Sequence, residues 1–281
     1  MALPETAPFL SLVIPAYNEA ERLPVALDAL EAYLARQPYS AEVIVADDGS
    51  TDATYDIAHA RATAWPALRV VSAPHRGKGH AVKLGLLATH GAYAFLCDAD
   101  LSMPIEELGK FLPDTLGALD VAIASREGPG AHRYAEPLYR HIIGRMFNSL
   151  VRWAVLPGIQ DSQCGFKCLR GNLARALARA QTVDGWGFDV ELLCVARLWG
   201  YRVVEVPIPW YFSTNSRVHP LPDSWHMVRE VLAVRRNLLA GRYGPRPAGL
   251  AGTLEAPTAT APLPTGLAAS PASGDLDIAD A

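Results

Sequence analysis

The sequence predicts an α/β protein built on a doubly wound, mostly parallel sheet. Short apolar runs rich in β-branched residues alternate with segments whose apolar residues have helical spacing. Five of these runs are each followed by a polar cluster, in the order PAYNE, DDGSTD, HRGKG, DADLS and SRE. Ligands of such sheets bind beyond the carboxyl ends of the strands, so these clusters predict one composite site.

The elements of the amino-terminal half follow in a regular order. Strands are expected in FLSLVIPA, AEVIVADDGS, LRVVSAP, AYAFLCDAD and LDVAIASR. Helices are expected in ERLPVALDALEAYLAR, DATYDIAHARATA, GKGHAVKLGLLATHG and PIEELGKFLP. We expect Asp52 to cap the second helix, Gly91 to close the third, and Pro104 to stand in the first turn of the fourth.

After residue 128 the pattern changes to longer and partly basic helices. HRYAEPLYRHIIGRMFNSLVRWAVLPG, GWGFDVELLCVARLWGY and SWHMVREVLAVRRNLLAGRYG are expected to be helical, the last one amphipathic. DSQCGFKCLRG is expected to turn into a short strand, and RVVEVPIPWYF to form another. We expect one domain over residues 1–246, with a change of character near 127, and a disordered Pro/Ala-rich tail over 247–281.

Composition limits the classes of function. Half of the residues are hydrophobic and the net charge is −4, which argues against a nucleic-acid partner. The four cysteines lack the second pair that a zinc site needs, so we expect reduced thiols in a cytosolic setting. Neither a signal peptide nor a transmembrane run is expected, so any membrane contact would be made from the surface.

The acid pair Asp98 and Asp100 is the strongest single signal. It ends an apolar run, and residues two apart on a strand face the same way. Adjacent carboxylates repel each other, and a hard divalent cation such as Mg²⁺ relieves that repulsion while bridging to substrate phosphates. The ordinary alternative is a solvated turn.

Other polar residues at the same edge fit a phosphorylated ligand. Asp47 and Asp48 end the second strand, where they could accept hydrogen bonds from a base or a ribose. Gly77 would allow close backbone approach, and Lys78 suits a phosphate. Arg126 brings a guanidinium to this edge, although a lone arginine there is equally well explained as a surface residue.

In this order and spacing, VIPAYNE, VADDGSTDAT, RGKG, CDADLS and ASR resemble the nucleotide-binding half of a family 2 glycosyltransferase with the GT-A fold. GIQDSQCGFKCL, GWGFDVELLCVA and VVEVPIPW resemble the dolichyl- or polyprenyl-phosphate sugar synthase branch, and its glucosyltransferase side most. The resemblance runs from about residue 10 to 243. It implies that residues 9–127 bind the donor and residues 128–246 the acceptor.

The resemblance also implies ligands and roles. The donor would be a nucleotide sugar, UDP-glucose first and GDP-mannose as the alternative, with Mg²⁺ or Mn²⁺. The acceptor would be a polyprenyl or dolichyl phosphate. Residues implied to bind the nucleotide are Pro15, Ala16, Tyr17, Glu19, Asp47, Asp48, Gly77, Lys78 and Ala99. Asp98 and Asp100 would hold the metal, and Ser102 departs from a glutamine that mannosyltransferase relatives often carry as a further ligand.

On the acceptor side, the resemblance implies roles for Asp161, Gln163 and Lys167, where the lipid phosphate should arrive. Arg126 would lie near the sugar or phosphates, and Arg217 would be a further anion contact. A phosphate acceptor needs no general base because its second pKa is about 6. No catalytic histidine or glutamate is therefore expected. Asp189 is expected to cap a helix, and the residues assign no role to Glu191.

Two segments are basic and amphipathic. The first carries Arg133, Arg140, Arg145 and Arg152 against Glu136, and the second carries Arg229, Arg235, Arg236, Arg242 and Arg246 against Asp223 and Glu230. Such helices lie on anionic membrane surfaces, which predicts a peripheral protein on the cytoplasmic face of a membrane. The alternative is that they pack on the sheet with their arginines in water.

Two other classes compete with a transferase. A haloacid-dehalogenase-type phosphatase also carries a DxD motif after an apolar strand, but it would leave DDGSTDAT and QCGFK unused. A non-catalytic module that binds nucleotide sugars or membranes is the second competitor, and the intact Asp98, Asp100 and Arg126 weigh against it.

Overall fold

The computed structural model describes residues 7–212 and 220–250. Strands within them are β1 (Leu10–Ala16), β2 (Ala41–Asp47), β3 (Leu68–Ser72), β4 (Tyr93–Leu96), β5 (Val121–Ser125), β6 (His132–Tyr134), β7 (Lys167–Arg170), β8 (Val203–Pro207) and β9 (Pro209–Tyr211). Helices are α1 (Leu23–Leu34), α2 (Thr54–Ala64), α3 (Lys78–Leu87), α4 (Pro113–Leu116), α5 (Leu138–Ala154), α6 (Gly171–Ala180), α7 (Phe188–Leu198) and α8 (Pro220–Leu239), with a 3₁₀ helix at Ile105–Phe111.

Seven strands form the central sheet in the order β3-β2-β1-β4-β7-β5-β8. The pairs β1–β2, β2–β3, β1–β4 and β5–β8 are parallel, whereas β7 runs antiparallel to both β4 and β5. The predicted mostly parallel sheet is confirmed, but the antiparallel β7 in its middle was not expected. A second, two-stranded sheet pairs β6 with β9.

Both faces of the sheet are covered, which explains why its strands are apolar without alternation. Val13 and Ile44 point into one core with α3, α6 and α7. Leu12 and Val43, one residue earlier on the same strands, point into the other core with α1 and the 3₁₀ helix. The period-two geometry of a strand therefore divides one apolar run between two cores.

Several local expectations were wrong. Helix α2 begins at Thr54 with Ala53 at its N-cap position, and Asp52 instead accepts hydrogen bonds from the backbone and hydroxyl of Thr54. Helix α3 ends at Leu87, so Gly91 lies beyond its end.

The carboxyl-terminal half also differs from the expectation. Residues 132–134 form strand β6 rather than the start of a helix, because β9 pairs with them. Helix α6 was missed altogether. The chain also packs past the expected domain end at 246, since Leu250 contacts the core and its carbonyl accepts a hydrogen bond from the Tyr201 hydroxyl.

Cys97, Cys164, Cys168 and Cys194 are all buried and free. No helix within the described residues is both long and apolar enough to cross a bilayer. The expected tail over 247–281 lies outside the described residues from residue 251 onward.

Candidate active site

The site lies where the strand order reverses. On one side of β1 the sheet continues with β2 and then β3, and on the other side it continues with β4. Carboxyl ends of parallel strands at such a switch point form a crevice that binds ligands. Ala16 ends β1 and Asp98 follows β4 by two residues, so the predicted nucleotide and acid-pair segments do meet here.

A turn, and not the strand, orients the acid pair. Strand β4 ends at Leu96, before Asp98. The Leu101 amide donates to the Asp98 carbonyl at 3.3 Å, with Leu101 at φ 46°, an uncommon backbone conformation for a residue with a side chain. The Ser102 amide donates to Asp100 Oδ1 at 3.0 Å. Our argument from strand alternation was therefore wrong, although the two acids stay together.

Lys78 holds Asp98 directly. Its Nζ lies 2.7 Å from Asp98 Oδ1 and 5.2 Å from the centre of the Trp186 ring. Burial opposes the charge of each group, but the ion pair prevails, so the pKa of Lys78 is raised and that of Asp98 is lowered. Gly77 precedes this lysine at φ 132°, and a Cβ there would lie 2.5 Å from the Asp184 carbonyl oxygen, so the lysine depends on that glycine.

Behind the acid pair stands a second, fully buried ion pair. Lys167 Nζ lies 2.7 Å from Asp189 Oδ1 and also donates to the Cys164 carbonyl, and Lys167 is only 1% exposed. The helix cap is Gly187, so our assignment of Asp189 as a cap was wrong. Burial raises the pKa of Asp189, and Lys167 opposes that rise. This lysine braces the loop before β7, and its contact with an acceptor phosphate stays a prediction.

That loop also supports Asp98. A Cβ added to Gly165 would lie 2.1 Å from Asp98 Oδ2, so the glycine backbone packs against the carboxylate. The Cys164–Lys167 hydrogen bond fixes the same turn. The segment CGFK therefore has a structural function at the acid pair, in addition to the acceptor function that the resemblance implies.

Arg126 is engaged by Asp161. Its Nε and Nη2 lie 2.7 and 2.9 Å from the two carboxylate oxygens, and its backbone amide donates to the same group. Burial alone would raise the pKa of Asp161, but Arg126 lowers it to about 2. Glu205 holds the Asp161 amide at 2.9 Å. Asp161 therefore positions the arginine, and its role near the acceptor stays a prediction.

The predicted nucleotide residues divide into open and buried groups. The Tyr17 ring stacks on His75 with centroids 3.9 Å apart, at the mouth of the crevice. Asp48 is 1% exposed and accepts from the Gly77 amide at 2.7 Å and from His80 Nδ1 at 3.0 Å. Asp47 is equally buried.

Glu19, whose carboxylate forms an ion pair with Arg22, lies after β1. The buried Asp47 and Asp48 hold loops in place, so their contact with a base or a ribose stays a prediction. The same holds for Pro15 and Ala16, which end β1.

Four further residues complete the predicted set. Ala99 is buried between the two acids, and Ser102 follows them. The Gln163 amide donates to Asp161 Oδ1 at 3.3 Å, which places Gln163 beside the Arg126 pair. Arg217 lies outside the described residues. A metal-binding role for Ser102 stays a prediction.

Sequence reasoning missed two groups at the edge. Trp186 supports the Lys78 ammonium, and Trp210 lies 5.3 Å from the Arg126 guanidinium carbon. The signal for Trp186 was present, because GWGFD places an aromatic ring between two glycines just before α7. Nothing in the sequence pairs Trp210 with Arg126, because Arg126 follows β5 whereas Trp210 lies in β9, 84 positions later.

The residues present fit a divalent cation that shares its coordination with a substrate. Within the described residues, no cluster of three or more His, Cys, Asp or Glu side chains could hold a metal. Mg²⁺ commonly binds through one or two carboxylates and completes its shell with water and substrate phosphates. Asp98 and Asp100 supply such a pair, without the further ligands of an all-protein site.

The surface of α5 differs from the basic helix that we expected. Glu127 precedes the basic segment described from the sequence, and it forms ion pairs with both Arg133 at 2.7 Å and Arg145 at 3.0 Å. The solvent-exposed side chains of α5 are instead mostly apolar: Leu138, Tyr139, Ile142, Met146 and Trp153.

Helix α8 packs beside α5 and exposes Trp225, Leu232 and Leu239. We call these two sets the apolar stripes. The Arg235 guanidinium carbon lies 5.5 Å from the centre of the Trp153 ring, where the stripes meet. Arg145 of α5 and Arg229 and Arg236 of α8 are also exposed, so this surface combines apolar stripes with cations.

The fold and this edge define the class: an α/β protein with an acid pair and a lysine at the switch point of a doubly wound sheet. The family model described as glycosyl transferase family 2 matches residues 11–174. The chain therefore belongs to glycosyl transferase family 2 and is a glycosyltransferase, which confirms the family and fold class predicted from the sequence.

Known proteins are similar in sequence to this chain over most of its length. It is 32% identical over 249 residues to the dolichyl-phosphate beta-glucosyltransferase of Homo sapiens, covering 83% of this chain and 77% of that protein. It is 29% identical over 261 residues to the protein of the same name from Saccharomyces cerevisiae, covering 84% and 76%.

Solved structures share the fold. Glucosyl-3-phosphoglycerate synthase from Mycobacterium tuberculosis in complex with UDP has a TM-score of 0.58 and 24% identity, covering 86% of this chain and 82% of that one. The same synthase with Mn²⁺, UDP-glucose and phosphoglyceric acid has a TM-score of 0.57 and 23% identity. At these identities the likeness concerns the fold alone.

Proposed function

We propose that this enzyme transfers glucose from UDP-glucose to a dolichyl or polyprenyl phosphate, with inversion to a β-linked lipid phosphate sugar. The observation that carries the proposal is the meeting of Lys78, Asp98 and Asp100 at the switch point beside β1. The names of the human and yeast relatives favour a glucose donor over GDP-mannose. They also favour a dolichyl phosphate as the acceptor.

Asp98 and Asp100 would hold Mg²⁺ or Mn²⁺ together with the donor. When bound, that cation supplies positive charge to the diphosphate that departs from the sugar. Lys78 lies against the same carboxylate, so its ammonium can reach the diphosphate as a point charge. The metal and nucleotide named for the mycobacterial synthase support this at the level of the fold.

The acceptor side needs positioning and not proton removal. A phosphate monoester is largely dianionic at pH 7, so one of its oxygens can attack the anomeric carbon without a base. The residues must therefore bring two anionic groups together and neutralise part of their repulsion. Arg126 uses Nε and Nη2 on Asp161, and within the described parts of the chain its Nη1 has no hydrogen-bond acceptor. Nη1 is the group that we assign to the incoming phosphate.

The apolar stripes support contact with a membrane surface. Met146 and Trp153 of α5 are 69% and 76% exposed, and Leu239 of α8 is 82% exposed. Exposed apolar patches of this kind mark interaction sites, and a lipid acceptor resides in a bilayer. Insertion of these side chains would hold the crevice near the lipid phosphate. Attachment to the cytoplasmic leaflet stays part of the proposal.

A donor panel tests the reaction. The purified enzyme is incubated with Mg²⁺, dolichyl phosphate and radiolabelled UDP-glucose or GDP-mannose, and the lipid fraction is separated by thin-layer chromatography. We expect a labelled lipid from UDP-glucose, and none when dolichol without its phosphate replaces the acceptor. A labelled lipid from GDP-mannose alone would replace glucose with mannose. No labelled lipid from either donor would overturn the proposed acceptor.

A further inference from the structure

We propose that Lys78 is the resident counter-cation of Asp98, so that the divalent metal and the nucleotide donor bind as a pair and not separately. The inference rests on the proposed donor site and concerns how that site is filled. In the donor-free protein the ammonium occupies the carboxylate oxygen that a metal would need. Binding of the pair transfers Lys78 from Asp98 to the donor diphosphate.

The two carboxylate oxygens of Asp98 have different surroundings. Lys78 Nζ lies 2.7 Å from Oδ1. Oδ2 faces the Gly165 backbone so closely that a Cβ on that glycine would lie 2.1 Å away. The Gly165 backbone covers one side of Oδ2, so we expect a metal to approach Asp98 at Oδ1. At that oxygen the metal competes with the Lys78 ammonium.

The lysine can move while its backbone stays fixed. The Gly77 amide donates to Asp48 Oδ2 at 2.7 Å, and the His80 amide donates to the Asp184 carbonyl at 3.0 Å. These bonds hold the start of α3 on both sides of Lys78. Its side chain is about a quarter exposed, so it is not enclosed by protein on every side and has room to change rotamer. The exchange requires a change of side-chain rotamer and no movement of the helix.

The charges around the acid pair favour joint binding. Asp98, Asp100 and Asp189 face Lys78 and Lys167, which leaves one net negative charge in this group of five. A divalent metal alone would leave one net positive charge beside a displaced ammonium. A diphosphate alone would leave three net negative charges. The metal and the diphosphate together restore the original charge, which is the least costly arrangement in a partly buried site.

Mn²⁺ binding measures the exchange without turnover. Electron paramagnetic resonance reports free Mn²⁺ during titration of the full chain, with and without UDP-glucose and in the absence of any lipid acceptor. The variants are Lys78→Gln, which removes the charge, and Lys78→Arg, which keeps it. Lys83→Gln, five residues later on the same helix, removes one charge outside the site and is the matched control, since Lys83 Nζ donates to the Gln181 carbonyl.

In the wild type, UDP-glucose should tighten Mn²⁺ binding by about tenfold or more. Lys78→Gln should bind Mn²⁺ about tenfold more tightly than the wild type when no donor is present, because the competing ammonium is gone. The gain caused by UDP-glucose should shrink in that variant. Lys78→Arg and Lys83→Gln should behave like the wild type.

Donor-free Mn²⁺ affinity of folded Lys78→Gln equal to that of the wild type would overturn the inference. If circular dichroism shows that Lys78→Gln does not fold, the wild type provides the test. A wild-type Mn²⁺ affinity that UDP-glucose leaves unchanged would then overturn the inference. Coupled binding of Mn²⁺ and UDP-glucose without any labelled lipid product would contradict only the proposed acceptor, and not the role of Lys78. A labelled lipid product without coupled binding would contradict only the role of Lys78.

Discussion

Arg126 and Asp161 form a bidentate ion pair beside the crevice, with Nε–Oδ2 and Nη2–Oδ1 distances of 2.7 and 2.9 Å. Asp161 is fully buried, and Arg126 holds its pKa at about 2. The pair connects the end of β5 with the loop before β7, and the remaining nitrogen of the guanidinium, Nη1, is the group that we assign to the acceptor phosphate. We therefore expect both stability and transfer to depend on the Asp161 carboxylate.

The Asp161 pair should make stability fall in acid. The pKa of Asp161 is lower in the folded protein than the usual value of about 3.9, so the stabilisation is complete above the unfolded pKa and is lost as pH falls toward 2. The shift corresponds to about 2–3 kcal/mol. Urea unfolding at pH 7, 4 and 3 should show a smaller acid-dependent loss for Asp161→Asn than for the wild type. Identical pH dependence of the two proteins would mean that the pair contributes nothing.

Asp100→Asn should abolish transfer while leaving the fold intact. The change removes a metal ligand and also relieves carboxylate repulsion beside Asp98. Excess EDTA should have the same effect on the wild type, and added Mg²⁺ or Mn²⁺ should reverse it. Asp114→Asn, an exposed acid on α4, is the matched control and should retain activity. Full activity of the wild type in excess EDTA would exclude the metal.

The pair Lys167–Asp189 should respond differently to single and double changes. Lys167→Met leaves a buried carboxylate without its cation, which should cost about 3–5 kcal/mol. Lys167→Met combined with Asp189→Leu removes both charges and should recover most of that stability. Chemical unfolding measures the three proteins. A double variant as unstable as the single one would show that the charges are not what the pair contributes.

In the double variant Lys167→Met and Asp189→Leu, glycosyl transfer should stay impaired even though stability recovers. The lysine fixes the turn at Cys164 and Gly165, on which the Asp98 carboxylate rests. Restored transfer alongside restored stability would mean that apolar packing positions Asp98 equally well.

The apolar stripes should govern vesicle binding. Ile142→Ser combined with Met146→Ser removes two exposed apolar side chains of α5. At about 1 kcal/mol for each partly inserted side chain, association with anionic vesicles should weaken by about tenfold to thirtyfold. The loss should persist at high salt, because apolar insertion is not screened. Co-sedimentation measures it, with Val25→Ser, 67% exposed on α1, as the control.

Equal sedimentation of the double variant and the wild type would show that α5 does not meet the bilayer. A loss that appears only at low salt would assign the attachment to arginines such as Arg236. Calorimetric affinity for UDP-glucose should be the same in all of these proteins, since the stripes lie outside the crevice.

Two truncations should separate the packed end of the chain from the rest. Ending the chain after residue 250 should leave the melting temperature unchanged, because the sequence beyond has too little apolar content to build a core. Ending it after residue 246 removes Leu250 and its hydrogen bond from Tyr201, which should lower Tm by about 2–6 °C. Calorimetry compares them, and equal Tm values would show that Leu250 contributes nothing.

Much of the fold was readable because its signals are local. The apolar runs of β1, β2 and β5 and the spacing in α1 and α7 each report burial within a few residues. Helix α6 was missed although Leu173, Ala174, Leu177 and Ala178 are buried at helical spacing. Arg175 and Arg179 interrupt the apolar run, although the buried residues keep the helical period.

The sequence by itself determined the class of fold, the edge that carries the site, and the acids and cations gathered there. Ordered motifs after successive strands are enough for that, because parallel strands bring their carboxyl ends to one edge. Only the tertiary structure decided which acid meets which cation. Lys167 finds Asp189 across 22 positions, Arg126 finds Asp161 across 35, and Lys78 finds Asp98 across 20. Such pairs depend on distances of a few ångströms set by packing, and the spacing of residues along the chain carries no record of them.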